Sequence, residues 1–404
     1  MNPLEHKGIP VADQLRHWGD LNPEPYDSME VDPYTRCRII LMNGIEVESI
    51  MFSHQFNRNV DVPEVREKLA ESRRVEAQQQ KAVNWLIPGD ETTLEVTLGY
   101  EQVAVDLTAW LARMEPDPYM EQVLQFALLE DFDHLYRYAN LYELLEGKKA
   151  ERIVQQLTEV MPGRPTIAEH RHPADDLRRH YDKHTADPLS RLHAMTITAG
   201  EQQTMNFYNT IGNRYMEPIA RQLYAEIAMI EEQHVSQYES LIDPGETWFE
   251  QLVYHELNEV YLYHSFAETE TDPRVRQLWE LHREMELGQL HAACELMKRY
   301  DGRDPEEILP PALPEPLRFE PNKEYVREVL ATQLDLTADG FDVTAEPPKR
   351  YGQYQEKVHD GVPVASELVI DQNREAHGHE YRIETEGEHP VERLRETSAS
   401  GGSK

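Results

Sequence analysis

The chain has 404 residues, 39% of them apolar, and 75 acidic against 40 Lys and Arg residues, for a formal charge of −35. That length holds one large domain or a domain with long appendages, and the apolar share is low but sufficient for a helical core. So acidic a surface argues against nucleic acid or an anionic membrane as partner, because binding phosphate needs clustered Lys and Arg; it draws cations instead.

Residues 1–90 read as an N-terminal region in three parts. Residues 1–35, rich in Pro, Asp and Glu, form an arm that wraps a body or stays mobile. The run from Arg36 to Met42, the turn pair Asn43-Gly44 and the run from Ile45 to Phe52 predict a β-hairpin over 36–55. Such a hairpin is marginal alone and should pack on helices or on another chain. Residues 62–84 have helical composition and predict a peripheral helix.

From about 91 to 300 the hydrophobic period is helical. Leu98, Val105, Thr108 and Leu111 share a face with Glu101, and the Pro116 to Pro118 region stops that helix. The next stripe carries Leu124, Leu128, Asp131, His134, Leu135, Tyr138 and Leu141. A long connection follows over 147–188; its Glu169, His170, His172, His180 and His184 read as part of a charged, exposed loop. Helical stripes resume with Met195, Glu201, Met205 and Tyr208, and after Pro218 with Leu223, Ile227, Glu231, His234 and Tyr238. Residues 91–245 thus predict four helices joined by a short loop, a long crossover and a short loop, the connectivity of a ferritin-like bundle.

A further helical hairpin is predicted over 246–300. Residues 301–404 are Pro-rich and acidic and read as an extension, with the last 20 or so, 385–404, disordered. The N-terminus lacks a basic region followed by an apolar run, and no stretch approaches 18 apolar residues, so an unexported chain that does not span a membrane is expected. Cys37 and Cys294 are isolated, which excludes a zinc ribbon, an iron–sulfur set or a disulfide framework and fits the cytoplasm.

One spacing occurs twice. Glu101 is followed thirty positions later by Asp131 and then His134; Glu201 is followed thirty positions later by Glu231 and then His234. A carboxylate on one helix, with a carboxylate and a His at i, i+3 on the next, places three metal ligands on the facing surfaces of a hairpin. Two hairpins would enclose four carboxylates and two imidazoles. Desolvating an ionised carboxylate costs several kcal/mol unless it is paired or metal-bound, which is why carboxylates on apolar stripes point to a metal. The donor set suits Fe or Mn.

On these motifs the chain resembles the ferritin-like, rubrerythrin-like di-iron carboxylate proteins over residues 91–242, and loosely over 246–300. The resemblance implies a mainly α fold, a ferritin-like four-helix bundle with an additional helical pair, and a centre of two Fe ions, Mn being possible. It implies Glu101, Asp131, His134, Glu201, Glu231 and His234 as ligands, with Asp131 and Glu231 bridging. The family has Glu where this chain has Asp131, and the adjacent Glu130 is the alternative ligand; helical phase favours Asp131. Tyr138 and Tyr238 are candidate catalytic residues, as hydrogen-bond partners of ligands or electron donors.

The implied function is a di-metal oxidoreductase acting on hydrogen peroxide or O₂. With two isolated cysteines there is no rubredoxin-type module, so a separate electron-donor protein is expected. A homodimer or higher homo-oligomer is expected too. Two alternatives are iron handling by a ferroxidase and a structural metal-binding assembly protein. In 246–300, His255, Glu256, Glu259, Glu286 and His291 invite a second site, but Gln289 stands where a His is needed, and the pair reads as a repeat that has lost its ligands and only packs or dimerises.

Overall fold

The computed structural model describes residues 1–399; among these, helices dominate and β structure is confined to one two-stranded sheet. The long helices are α1 (Pro33–Asn59), α2 (Pro63–Asn84), α3 (Thr93–Met114), α4 (Pro118–Glu146), α7 (Pro188–Ile211), α8 (Pro218–Glu239), α9 (Trp248–Thr269) and α10 (Pro273–Leu296). The crossover holds the single-turn helices α5 (Glu151–Val154) and α6 (Thr166–Glu169). Beyond residue 319 come α11 (Lys323–Gln333), the strands β1 (Thr337–Asp339) and β2 (Asp342–Thr344), α12 (Lys349–His359), α13 (Ala365–His377), α14 (Arg382–Glu386) and α15 (Glu392–Ala399). Helix starts follow local chemistry. Asp32, Asp117 and Asp272 cap α1, α4 and α10 with a proline in the first turn, and Thr92 with Glu95 and Thr247 with Glu250 form capping boxes on α3 and α9. No helix among the described residues is long and apolar enough to cross a membrane.

The chain divides into two units. The first comprises Met1–Asp90, His180–Gln203 and Ile242–Phe319. Within it α1 pairs with α2 and α9 with α10, while α1 lies against α9 and α2 against α10. The first part of α7 joins this unit: Gln203 Nε2 donates to the Ile40 carbonyl at 2.8 Å, and Thr196 Oγ1 to Asn258 at 2.8 Å. The predicted β-hairpin is therefore a helix. A short apolar run fits a buried helix as well as a strand, and here Asn43 and Gly44 are packing residues rather than a turn. Asn43 donates to Gln203 and accepts from Gln80 at 2.7 Å, and a Cβ at position 44 would meet the Gln203 amide at 2.9 Å. The 62–84 helix is not peripheral, since Val65, Leu69, Val75, Glu76, Gln79 and Val83 are buried. The N-terminal arm is docked on α10, with Ile9 N donating to the Glu284 carbonyl and Gln14 Nε2 to the Met285 carbonyl, both at 2.7 Å.

The second unit comprises Glu91–Arg179, Thr204–Leu241 and the described residues from Glu320 onward. Here α3 pairs with α4, and α4 is also packed by α8, α11 and α13. Leu98, Val105, Leu128, Phe132, Leu135, Leu223 and Ile227 share a core with Val326, Leu330, Val369 and Leu394. The C-terminal segment is thus docked, and α14 and α15 replace the disorder read from composition up to Ala399. Each fully buried Val or Leu contributes roughly 1.5–3 kcal/mol, so four such residues outweigh the segment's polar bias. Residues 400–404 lie outside the described residues. The grouping departs from the predicted boundaries in two places: 180–203 belongs with the first unit, and the 246–300 hairpin partners α1 and α2 rather than extending the 91–245 region.

Candidate metal centre

Four of the predicted ligands come from α4 and α8, which pack against each other, and a fifth from α3, which pairs with α4. Glu101, Asp131, His134 and His234 are each fully buried or within 1% of it, as is Glu231. Glu231 sits between the two imidazoles. His134 Nδ1 lies 3.1 Å from its Oε1 and His234 Nδ1 3.5 Å from its Oε2, and His234 Nδ1 is also 3.3 Å from Asp131 Oδ1. Glu101, His134 and Glu231 each offer an atom within 4.8 Å of the others. The rings of His134 and His234 are 6.0 Å apart.

Both imidazoles turn Nδ1 inward, and the opposite nitrogen of each meets a carboxylate outside the set. His134 Nε2 is 2.9 Å from Glu169 Oε2, and His234 Nε2 is 2.7 Å from Glu130 Oε2. A carboxylate behind each imidazole fixes ring orientation and raises ligand basicity. Glu130 is in addition bridged to Arg164 at 3.1 Å and to Arg171. With its oxygens occupied in this way, Glu130 orients His234 in this geometry, and Asp131 is the α4 carboxylate that faces His234 Nδ1.

The electrostatics follow from crowding. Burial, with the nearby Glu231 and Asp131 charges, pushes Glu101 well above the usual carboxylate range. Burial likewise raises Asp131. Burial acts on Glu231 as well, but hydrogen bonds from both imidazoles outweigh it and hold the group at about 2. His134 loses hydration too, yet Glu169 and Glu231 raise it well above 6.5. Glu169 is pushed up to about 8 by burial, against the pull of His134. For Glu130 the desolvation is overcome by Arg171, His234 and Arg164, which keep it well below the ordinary range.

The crossover that delivers Glu169 is not an exposed loop: Glu169, His170 and Arg171 are buried, whereas His180 and His184 are exposed. It is stitched to α4 and α8. Asp133 accepts from Gly163 N and Thr166 N at 3.0 Å, and from Thr166 Oγ1 at 2.8 Å, while pairing with Arg137. Gln233 of α8 donates to the Glu169 carbonyl at 3.0 Å and accepts from Arg171 N at 2.9 Å. A Cβ at Gly163 would lie 2.3 Å from the Leu129 carbonyl, so only glycine lets the crossover approach α4 this closely. Sequence reading missed Glu169 because its partner His134 is thirty-five residues away; the local run of charges carries no period that announces burial.

Tyr208, on the part of α7 in this unit, touches the set, its hydroxyl donating to Glu101. The Tyr138 ring packs at 5.1 Å from Tyr208 and 4.9 Å from Tyr224, and the Tyr238 ring lies 6.3 Å from His234. Glu201 is buried on α7, in the segment that belongs to the first unit. Outside Glu130, a cavity of about 310 Å³ is lined by Phe126, Arg164, Arg171 and Tyr351.

The residues fit a metal. Glu101 Oε2 accepts no hydrogen bond among the described residues, and the nitrogen nearest Asp131 Oδ1 and Glu231 Oε2 is His234 Nδ1, at 3.3 and 3.5 Å. Buried carboxylate oxygens left so are costly without a cation. Comparison with protein-family models, with characterised proteins and with solved structures found no match for this chain.

Proposed function

We propose that the chain is a ferritin-like di-metal oxidoreductase that acts on hydrogen peroxide or O₂ and draws electrons from a separate donor. The observation that carries this reading is the pair of inward Nδ1 atoms converging on Glu231, each imidazole backed by its own buried carboxylate. Glu101, Asp131, His134, Glu231 and His234 would hold the metals. Glu201 is proposed as the counterpart of Glu101. It precedes Tyr208 by seven residues, two helical turns, on the same face of α7.

A bound pair of redox-active ions, Fe or Mn on this donor set, supplies two electrons to a small oxidant. The chain's own part is to hold geometry and protons. Tyr208 fixes one oxygen of Glu101, and Glu130, anchored by Arg164 and Arg171, accepts from His234 Nε2 and so turns the lone pair of Nδ1 toward the metals. Glu169 accepts the proton of His134 Nε2, which leaves Nδ1 to face the metals, and the rings of Tyr138 and Tyr224 pack on the Tyr208 that holds Glu101. Tyr138 and Tyr238 are the nearby phenols proposed to relay an electron. The buried Cys37 and Cys294, both free thiols, suit a reducing cytoplasm, and a homo-oligomeric assembly is part of the proposal.

The test is to strip the protein, reload it anaerobically with Fe²⁺ or Mn²⁺, and add peroxide or O₂ with and without a reductant. Two metals per second unit and turnover of either oxidant are expected. Fully loaded protein that consumes neither oxidant would overturn the reading, and a 24-subunit shell by light scattering would favour iron storage instead.

A further inference from the structure

The spacing of the predicted ligands recurs elsewhere in the chain, within the first unit. From Glu101, a proline follows at seventeen residues, a carboxylate at thirty and His134 at thirty-three; from Glu201 come Pro218, Glu231 and His234. From Glu46 come Pro63, Glu76 and Gln79, and from Glu256 come Pro273, Glu286 and Gln289. The proline opens the second helix of each hairpin, so equal spacing sets equal depth along it. In place of two imidazoles the first unit has two amides.

All these groups meet inside the first unit. Glu46, Glu76, Glu259 and Glu286 are at most 1% exposed and Glu256 is 4% exposed. Glu76, Glu256, Glu259 and Glu286 each offer an oxygen within 4.8 Å of the others. Tyr263 donates to Glu46, Gln79 donates to Glu286, and Gln289 Nε2 lies 3.3 Å from both oxygens of Glu286. Among the described residues no amide, guanidinium or phenol reaches either oxygen of Glu76 or Glu259, whose partners are the carboxyls of Glu46 and Glu286, and the amide oxygen of Gln289 accepts nothing. The charges acting on Glu76, Glu256 and Glu259 are those of other carboxyls. The two histidines read from the sequence are elsewhere: His255 stacks on Phe52 and pairs with Glu48, and His291 bonds the His6 carbonyl.

A cavity of about 620 Å³, lined by Leu69, Leu252 and Gly288, reaches Glu256 and Gln289. A repeat kept only for packing would gain from apolar residues at these positions, since desolvating an ionisable group is costly and well-packed hydrophobes of similar volume often replace even paired ones without loss of stability. Five buried carboxyls, among them Glu76 and Glu259 that meet only other carboxyls, an unpartnered amide oxygen and an entry path point to a cation. An all-oxygen set without imidazole or thiolate selects hard ions that accept six or more oxygens.

We propose that Glu46, Glu76, Glu256, Glu259 and Glu286 form a second metal centre, distinct from that of the second unit and specific for a hard divalent cation of the Mn²⁺, Mg²⁺ and Ca²⁺ class. This centre stands or falls independently of the oxidoreductase reading. The experiment uses the metal-stripped full chain carrying His134→Ala and His234→Ala, titrated with Mn²⁺ while free Mn²⁺ is read by electron paramagnetic resonance. At least one equivalent should still bind and be displaced by excess Ca²⁺ or Mg²⁺. Adding Glu76→Gln and Glu259→Gln should weaken that binding at least 100-fold.

The glutamine pair alone, in otherwise native protein, should lower the total Mn²⁺ count by one or more, and should raise the apo melting temperature by relieving repulsion. No Mn²⁺ in the histidine variant, or an unchanged count and affinity after the glutamine pair, overturns the proposal. Loss of oxidant turnover in the histidine variant with this equivalent retained separates the two centres.

Discussion

Glu130→Gln separates orientation from ligation, because the substitution keeps the shape and removes the charge. Glu130 accepts from Arg164, Arg171 and His234, all of them buried. Removing one partner of a buried ion pair costs about 3–5 kcal/mol. Arg171 keeps Asp176 at 3.1 Å and Arg164 keeps the Phe126 carbonyl at 2.6 Å, so the lower end, about 3 kcal/mol, is expected for the metal-free protein. On the metal side, losing the carboxylate behind an imidazole weakens affinity roughly 10- to 100-fold, about 1.4–2.8 kcal/mol, without changing the number of ions. Asp131→Asn, by contrast, alters an inward-facing donor and should lower the metal count. Urea unfolding of stripped protein measures the first effect; elemental analysis with chelator competition measures the second. If Glu130→Gln loses an ion while Asp131→Asn keeps both, the roles of the two residues are reversed and the reasoning fails.

Three other outcomes can be checked simply. Tyr208→Phe removes the donor to Glu101 and should destabilise the stripped chain by about 1–3 kcal/mol with the metal count intact; an unchanged melting temperature would contradict the contact. Gly288→Ala puts a Cβ 1.8 Å from the Ile9 carbonyl, so the arm should detach and residues 1–14 become sensitive to limited proteolysis while α9 and α10 stay protected. His282 is fully buried, and burial, helped by Arg16, lowers its pKa to about 3. Its folded value lies below the unfolded 6.5, so its contribution is complete above pH 6.5 and is lost as pH falls toward 3. At pH 5 the loss is about 2 kcal/mol. In His282→Gln the stability difference between pH 7 and pH 5 should shrink by that amount, and an identical pH profile for both proteins would refute the assignment.

Helices α3, α4, α8, α9 and α10 are legible because their apolar stripes are long and their starts carry capping residues or proline. Helix α1 was not. Its run of Ile, Leu and Met around Asn43-Gly44 is too short in period to tell a buried helix from a hairpin, and that misreading hid the spacing from Glu46 to Gln79. The buried C-terminal helices were hidden by a polar composition that a few apolar anchors such as Val369 and Leu394 override.

By itself the sequence determined the register of the predicted ligands, since residues at matched offsets on two antiparallel helices come to the same level where those helices pair. It also determined the acidic surface and the isolation of the two cysteines. Only the tertiary structure decided that Glu169 and Glu130 stand behind His134 and His234, that α1 and α2 partner α9 and α10, and that a second carboxylate cluster is enclosed there. These depend on contacts between residues 35 to over 200 positions apart, and such contacts leave no local period, because burial of a polar side chain is set by what covers it and not by its neighbours in the chain.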